Sequence, residues 1–271
     1  MLGGLLNMVN VQGVKEAILD ELKKIDYLDN EIVGFISKRG DVYTVGSDSK
    51  IIGRLFEVLT QPILEKVATQ VNMELHESPR QTVYPDFWLS NKENSSQERI
   101  AIDIKTTYRK GAHSKFGYTL GSYTSFLRNG TKNIAGDYSM YSAHLIIGFL
   151  YSRNKNYSTQ VVPFSKINTV QSPVTDIKYF VAEKPGSGNT ANIGTIASNN
   201  IQDFIDENGP FAMLGDKAFE DYWRNYPTPS ERANGNVKYS NLETYIAWKK
   251  KTDLKQGVFL EKKYKEYLSQ N

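Results

Sequence analysis

The sequence predicts a mixed α/β chain, and three observations carry that prediction. Apolar residues recur at helical spacing at Val14, Ala17, Ile18, Leu22 and Ile25, and again at Ile52, Leu55, Phe56 and Leu59. Strict alternation runs through Ile100-Ala-Ile-Asp-Ile-Lys-Thr106, the period of a strand with two unlike faces. Ala143 to Tyr151 is almost continuously apolar, as in a strand covered on both sides.

The elements follow in order. Val14 to Ile25 reads as an amphipathic helix, then Glu31 to Lys38 and Asp41 to Val45 as a hairpin turning at Arg39-Gly40. Pro62 is expected to break or kink the second helix and to open a third, Ile63 to Val71, since its ring fixes φ and removes a donor. Tyr84 to Leu89 and Arg99 to Thr107 read as two strands around the polar loop 91–97. Asp176 to Glu183 is a further strand, leading into the glycine-rich stretch Gly186 to Gly194. From Asn200 onward the pattern is helical, with Phe219, Tyr222 and Trp223 on one face and Tyr245, Ile246 and Trp248 near another; Pro227-Thr-Pro229 separates the helices. No repeat, low-complexity tract or clear linker divides the chain, so one domain is expected.

Composition narrows the classes. The 271 residues are 39% hydrophobic, enough for a sizeable core, and contain no cysteine, which removes disulfide frameworks, thiolate zinc sites and cysteine nucleophiles. The amino terminus has no secretion-signal pattern, and the strongest apolar stretch, Leu145 to Tyr151, is seven residues, far below the ~20 of a spanning helix. A soluble intracellular protein is expected, with no membrane partner. The 33 Lys and Arg against 30 Asp and Glu leave a net charge of only +3. That total hides a polarised distribution: residues 104–175 carry nine Lys or Arg and one acid, Asp137. Within 104–136 there is no acid at all, and Lys105, Arg109, Lys110, Lys115, Arg128 and Lys132 alternate with Thr, Ser, Tyr, Gly and Asn. Cations interleaved with short hydroxyl donors suit phosphate oxygens; a solvated basic surface is the plainer reading of such a run.

The same segment begins beside carboxylates. Alternation puts Ile100, Ile102 and Ile104 on one face of a strand and Ala101, Asp103 and Lys105 on the other. Asp86, after Pro85, stands on the expected partner strand, so two carboxylates and a lysine converge if the hairpin forms. Close carboxylates repel and disturb each other's pKa unless a cation lies between them. Mg²⁺ fits, because it takes oxygen ligands and commonly uses one or two carboxylates with substrate phosphate. The lysine could then serve a bound water and the developing charge on a phosphoryl group. Alternatively Asp103 and Lys105 are an ordinary solvated strand edge.

Six stretches in order make the pattern specific: Tyr84-Pro-Asp-Phe, Ile102-Asp-Ile-Lys-Thr-Thr-Tyr108, Tyr118-Thr-Leu-Gly-Ser-Tyr-Thr-Ser-Phe126, Thr131-Lys-Asn-Ile134, Gly186-Ser-Gly-Asn-Thr-Ala-Asn-Ile-Gly194 and Asp221-Tyr-Trp-Arg-Asn-Tyr226. Together, from about Ile32 to Trp248, they resemble the EcoRV family of type II restriction endonucleases, in the PD-(D/E)xK nuclease superfamily. The resemblance implies a restriction-endonuclease-like core, a mixed β-sheet flanked by helices, acting as a homodimer on double-stranded DNA in the bacterial cytoplasm beside a cognate DNA methyltransferase. It implies Mg²⁺, with Mn²⁺ as a substitute, and cleavage of the palindrome 5′-GATATC-3′ to blunt ends. Asp86, Asp103 and the backbone carbonyl of Ile104 would be metal ligands, Lys105 would serve the attacking water, and Glu57 would join a second metal position. Gly186, Ser187, Gly188, Asn189, Thr190 and Asn192 would read bases, and Arg80 with Gln81 would face the minor groove. Thr106, Thr107, Thr119, Ser125 and Lys132 would contact the DNA backbone. Residues 1–13 and the Lys-rich 249–271 would be extensions to a nuclease core at 14–248.

Rival readings come from the same residues. Gly186-x-Gly188-x-x-Ala191 after a strand formally matches a dinucleotide-binding loop, but the residues after it lack a helical stripe and no acid ends a strand about 20 residues on. A DNA-binding module without catalysis, or a repair or junction nuclease on the same core, are the others.

Overall fold

The sheet is organised around one parallel pair. The structure is a computed structural model and describes residues 10–25, 32–92, 98–111, 114–119, 123–187, 189–192 and 195–270, with the backbone alone at 123, 189–192 and 195. In chain order the elements are α1 (Val11–Lys23), β1 (Gly34–Ile36), β2 (Asp41–Thr44), α2 (Ser49–Gln70), β3 (Met73–Glu77), β4 (Phe87–Asn91), β5 (Arg99–Tyr108), β6 (Phe116–Thr119), α3 (Tyr123–Arg128), β7 (Tyr141–Arg153), β8 (Val161–Pro163), β9 (Val174–Glu183), β10 (Asn189–Asn192) and β11 (Thr195–Ser198). Six helices follow: α4 (Gln202–Ile205), α5 (Pro210–Leu214), α6 (Asp216–Asn225), α7 (Pro229–Ala233), α8 (Leu242–Thr252) and α9 (Leu254–Gln270).

Five strands form the central sheet in the order β3-β4-β5-β7-β9. β5 and β7 run parallel and the other neighbours antiparallel, so the sheet is mixed. Each face is buried. Ile100, Ile102 and Ile104 of β5 join Leu145 and Ile147 of β7 against Val14, Ile18 and Leu22 of α1 and Ile52, Phe56 and Leu64 of α2. On the opposite face Ala101, Ile146, Leu150 and Phe180 pack against Phe204, Phe219 and Trp223 from the later helices. The predicted helical stripes and the apolar run therefore face the layers they need. Side-chain caps start the first two helices: Asn10 accepts from the Gly13 N–H, and Asp48 from those of Lys50 and Ile51. Among the described residues no helix is long and apolar enough to cross a membrane.

Pro62 does not interrupt α2, contrary to the sequence expectation. Ile63, Leu64, Val67 and Ala68 continue the buried stripe begun by Ile52 and Phe56. Burying each larger apolar side chain stabilises by roughly 1.5–3 kcal/mol, and several of them outweigh the ~3 kcal/mol cost of an interior proline. The carbonyl left without its donor is that of Val58, on the outer face and 51% exposed. The strand expected from Tyr84 begins only at Phe87, so Asp86 precedes β4. β3, β6 and the β10–β11 hairpin were not anticipated by the sequence reading. The hairpin also removes the dinucleotide-binding reading: the chain after the glycines forms antiparallel strands, and that motif requires a helix amino terminus there.

Gly148 shows how tightly the centre is closed. It lies between Lys105 of β5 and Phe180 of β9 in register, and a Cβ there would sit 2.1–2.9 Å from three atoms of the Phe180 ring. Gly148→Ala is therefore expected to destabilise the protein by about 1–3 kcal/mol through overpacking, measured as a lower urea midpoint at unchanged slope. Parental stability would contradict this packing.

Candidate active site

The pairing of β4 with β5 sets the site. Phe87 lies opposite Ile102, which brings Asp86, one residue before β4, alongside the segment around Asp103. The Ile104 N–H donates to Asp86 Oδ2 at 2.6 Å. Asp103 is 3% exposed on the middle strand of the sheet. Its two oxygens are shared between two ammonium groups: Lys105 Nζ is 2.7 Å from Oδ1, and Lys184 Nζ is 2.9 Å from Oδ2. The solvated-edge reading of Asp103 and Lys105 is thus overturned, because β5 is flanked on both sides and Asp103 is buried.

Burial alone would push Asp103 upward, but Lys105 and Lys184 outweigh it and hold the carboxyl at about 2. Asp86 moves the other way, up to about 7, through burial first and then the charge of Asp103, against the pull of Lys105. Burial lowers Lys105, yet Asp103 and Asp86 carry it net upward, so it stands as an ammonium. Burial takes Lys184 down to about 8 despite Asp103. The site is a compact block of alternating charge, with one carboxylate firmly ionised and its neighbour poised to gain a proton or a cation.

The other expected residues divide. Glu57 of α2 lines a cavity of about 190 Å³ together with Asp86, Arg80 and Gln81, but its carboxylate is engaged by Arg54 at 2.7 Å. Arg80 and Gln81 are exposed between β3 and β4, while Thr106 and Thr107 continue β5 beyond Lys105, half-buried. Thr119 and Lys132 are exposed, and Ser125 Oγ is buried with no hydrogen-bond partner among the described residues. Gly186 and Ser187 are buried at the footing of their loop, and the Ser187 hydroxyl donates to the Lys184 carbonyl at 2.8 Å. Gly188 and the side chains of Asn189, Thr190 and Asn192 lie outside the described residues.

Sequence reasoning missed Lys184. Its signal was a lysine continuing the buried alternation Phe180, Ala182, a position where an unpaired charge is costly. It also missed His144, whose Nδ1 meets the Tyr84 hydroxyl at 2.7 Å and whose ring stacks on Tyr138 at 4.9 Å. The basic segment is only partly available to phosphate, because Arg128 is spent on the carbonyls of Arg224 and Tyr226 and on Glu231.

The donor set suits a hard cation. Asp86 and Asp103 offer carboxylate oxygens close enough to disturb each other, the condition a divalent ion relieves. Among the described residues no three His, Asp or Glu form a ready-made cage, so such an ion would keep waters, as Mg²⁺ commonly does.

A mixed five-stranded sheet with helices on both faces, and an acid and a lysine on its middle strand met by a second acid just before the neighbouring strand, is the core of a restriction-endonuclease-like enzyme. A family model described as restriction endonuclease EcoRV matches residues 23–250. The type II restriction enzyme EcoRV of Escherichia coli is 38% identical over 241 residues, covering 86% of this chain and 94% of that protein. Among solved structures, NlaIV restriction endonuclease covers 89% of this chain and 96% of its own, at 15% identity and a TM-score of 0.37, too low to carry weight. The chain belongs to the EcoRV family of type II restriction endonucleases.

His144 gives the site a pH signature. Burial first, and then the charge of Lys184, hold its imidazole down at about 3, whereas an unfolded histidine takes a proton near 6.5. Between those values the unfolded chain binds the extra proton, so this contribution to stability is full above about pH 6.5 and is lost as pH falls toward 3. His144→Asn removes it. The stability gap between parent and variant should narrow as pH drops from 7 to 4, by up to about 1.4 kcal/mol per pH unit, in urea unfolding at a series of pH values. A gap that stays constant would show that His144 does not titrate in this way.

Proposed function

We propose that this protein is a Mg²⁺-dependent, sequence-specific endonuclease that cuts both strands of the palindrome 5′-GATATC-3′ to blunt ends carrying 5′-phosphates. The carrying observation is the buried Asp103 on the central strand, facing Asp86 and gripped by Lys105, in a chain of the EcoRV family. Asp86, Asp103 and the backbone carbonyl of Ile104 would hold the ion, and Glu57 in the adjoining cavity would join a second position on exchanging Arg54 for the cation. Mg²⁺, or Mn²⁺ in its place, supplies charge neutralisation at the phosphate and acidity to water.

Lys105, held as an ammonium, orients the attacking water and donates to the phosphoryl oxygens as charge develops there. Water attacks in line, yielding a proton to solvent as its oxygen bonds to phosphorus, and the bond to the 3′ oxygen breaks with that oxygen taking up a proton from solvent, leaving a 3′-hydroxyl and a 5′-phosphate. Thr106, Thr107, Thr119, Ser125 and Lys132 serve the DNA backbone. The loop from Gly186 to Asn192 reads base edges in the major groove, where glycines allow backbone approach, and Arg80 with Gln81 takes the minor groove. The easily deformed central TA step would be read through bending. Such an enzyme works in the bacterial cytoplasm beside a methyltransferase that protects host sites.

Two-fold cutting of a palindrome suits a homodimer. β1, β2 and β8 form a separate three-stranded sheet. Phe35, Tyr43 and Val161 sit side by side across it and are 58%, 49% and 58% exposed. Residues directly opposite each other across antiparallel strands share a face, so an apolar row lies open to a second copy.

Two measurements test this reading. Asp86→Ala or Lys105→Ala should lose plasmid cleavage by at least ~100-fold while cognate DNA still binds in a gel shift without metal; sequencing the ends made by the parent should return one palindrome. Cutting at the parental rate by either variant would break the site assignment, and ends scattered over all sequences would break the specificity. Tyr43→Lys should shift the sedimentation of the protein from dimer to monomer, and a variant that remains dimeric would place the interface elsewhere.

A further inference from the structure

We propose that Lys184 is a positioning residue that ties the base-reading loop to Asp103, so that the loop's seating on cognate DNA fixes the aim of the carboxylate. The inference rests on the nuclease reading above and deepens it.

Lys184 is fully buried and touches three parts of the site at once. Its ammonium takes Asp103 Oδ2 at 2.9 Å, the oxygen that Lys105 does not hold. The same ammonium lies 4.3 Å from the centre of the Tyr84 ring, two residues before Asp86. Its backbone N–H donates to the His144 carbonyl at 2.8 Å, anchoring it beside β7 just beyond the end of β9. Its own carbonyl accepts the buried Ser187 hydroxyl at 2.8 Å, and the adjoining Gly186 is pressed against the Glu207 side chain. One residue thus connects the footing of the loop to the catalytic strand by two short bonds.

The chemistry explains why a lysine stands there. Phe180 and Ala182 precede it on the same buried face, where an apolar side chain would serve packing equally well. An unpaired ammonium at that depth costs several kcal/mol, so the side chain is committed to Asp103. From the buried side it clamps one oxygen and leaves Oδ1 to the partly exposed Lys105. A shift of Ser187 on DNA binding would displace the Lys184 backbone and with it the clamp.

The test uses Lys184→Met, which keeps the length of the side chain and removes its charge, and Ser187→Ala, which leaves the ammonium in place and cuts only the tie to the loop. Lys184→Met should retain its melting transition and metal-free DNA binding, and lose cognate kcat by about 10–100-fold at unchanged KM. Mg²⁺ titrated calorimetrically into the DNA-free protein should bind it more tightly, because a competing positive charge has gone. Damage to packing alone would weaken both together. Ser187→Ala should leave that Mg²⁺ affinity unchanged, yet reduce by about tenfold the kcat ratio between the cognate site and a site with one altered base pair. Weaker cognate binding with an unchanged ratio would mean that Ser187 contacts a base directly, and the link would fall. Parental kcat and Mg²⁺ affinity in a folded Lys184→Met would also overturn it. Should that variant fail to fold, Ser187→Ala decides alone. If Asp86→Ala abolishes cleavage while both variants behave as the parent, only the link is lost and the nuclease reading stands.

Discussion

The structure depends on keeping one carboxylate ionised inside the sheet. Asp103 lies on β5, covered by neighbours on both sides, where an unpaired charge costs several kcal/mol. Two lysines, one on each oxygen, offset that cost. The arrangement leaves Asp86 as the unbalanced member: the Ile104 N–H stabilises its ionised form, but burial and the neighbouring Asp103 charge oppose it more strongly. The excess negative potential is therefore local and sits at the mouth of a cavity. A site so balanced holds Asp86 near the point of taking up a positive partner, which is the electrostatic condition for drawing in a divalent ion with its phosphate.

Much of this was legible in the sequence because the relevant signals are periodic. Alternation in 100–106 assigned Asp103 and Lys105 to the face opposite the three isoleucines, and the structure keeps that assignment. The apolar run 143–151 gave a strand covered on both sides, and β7 is one. Losses arose where tertiary packing decides. Pro62 carries a local penalty that the buried stripe of α2 overrides. β3 is a five-residue strand with Glu74, His76 and Glu77 among its members, and β6 is four residues long. Segments that short owe their state to the neighbour they pair with rather than to their own composition.

Lys184 was missed for a different reason. A lysine ending a strand ordinarily reads as a solvated terminus, and its partner is 81 residues away in the chain. Its one local signal is that it continues the buried alternation of Phe180 and Ala182, and the register of β9 on β7 is what brings it to Asp103. The basic segment, too, is divided by tertiary pairing. Lys105 is consumed by the site and Arg128 by the corner between α6 and α7, whereas Lys110, Lys115 and Lys132 stay exposed. A net charge of +3 thus combines cations held in internal pairs with an exposed set that includes Lys110, Lys115 and Lys132.

Fold and site are one decision in this chain, because β5 has no spare register. A slip of a single residue against β4 would turn Ile100, Ile102 and Ile104 toward the later helices and place Asp103 and Lys105 in the apolar layer under α1 and α2. The parallel pairing with β7 forbids that slip independently, since Gly148 must meet Lys105 on one side and the Phe180 ring on the other. The isoleucines that bury one face therefore aim the acids on the other. Register thus fixes where Asp103 stands before any ligand arrives, and what is left for binding to set is the hold on its carboxyl oxygens by Lys105 and Lys184. The footing of the 186–192 stretch meets that hold directly, because the Ser187 hydroxyl and the Asp103 carboxylate are both bound to Lys184.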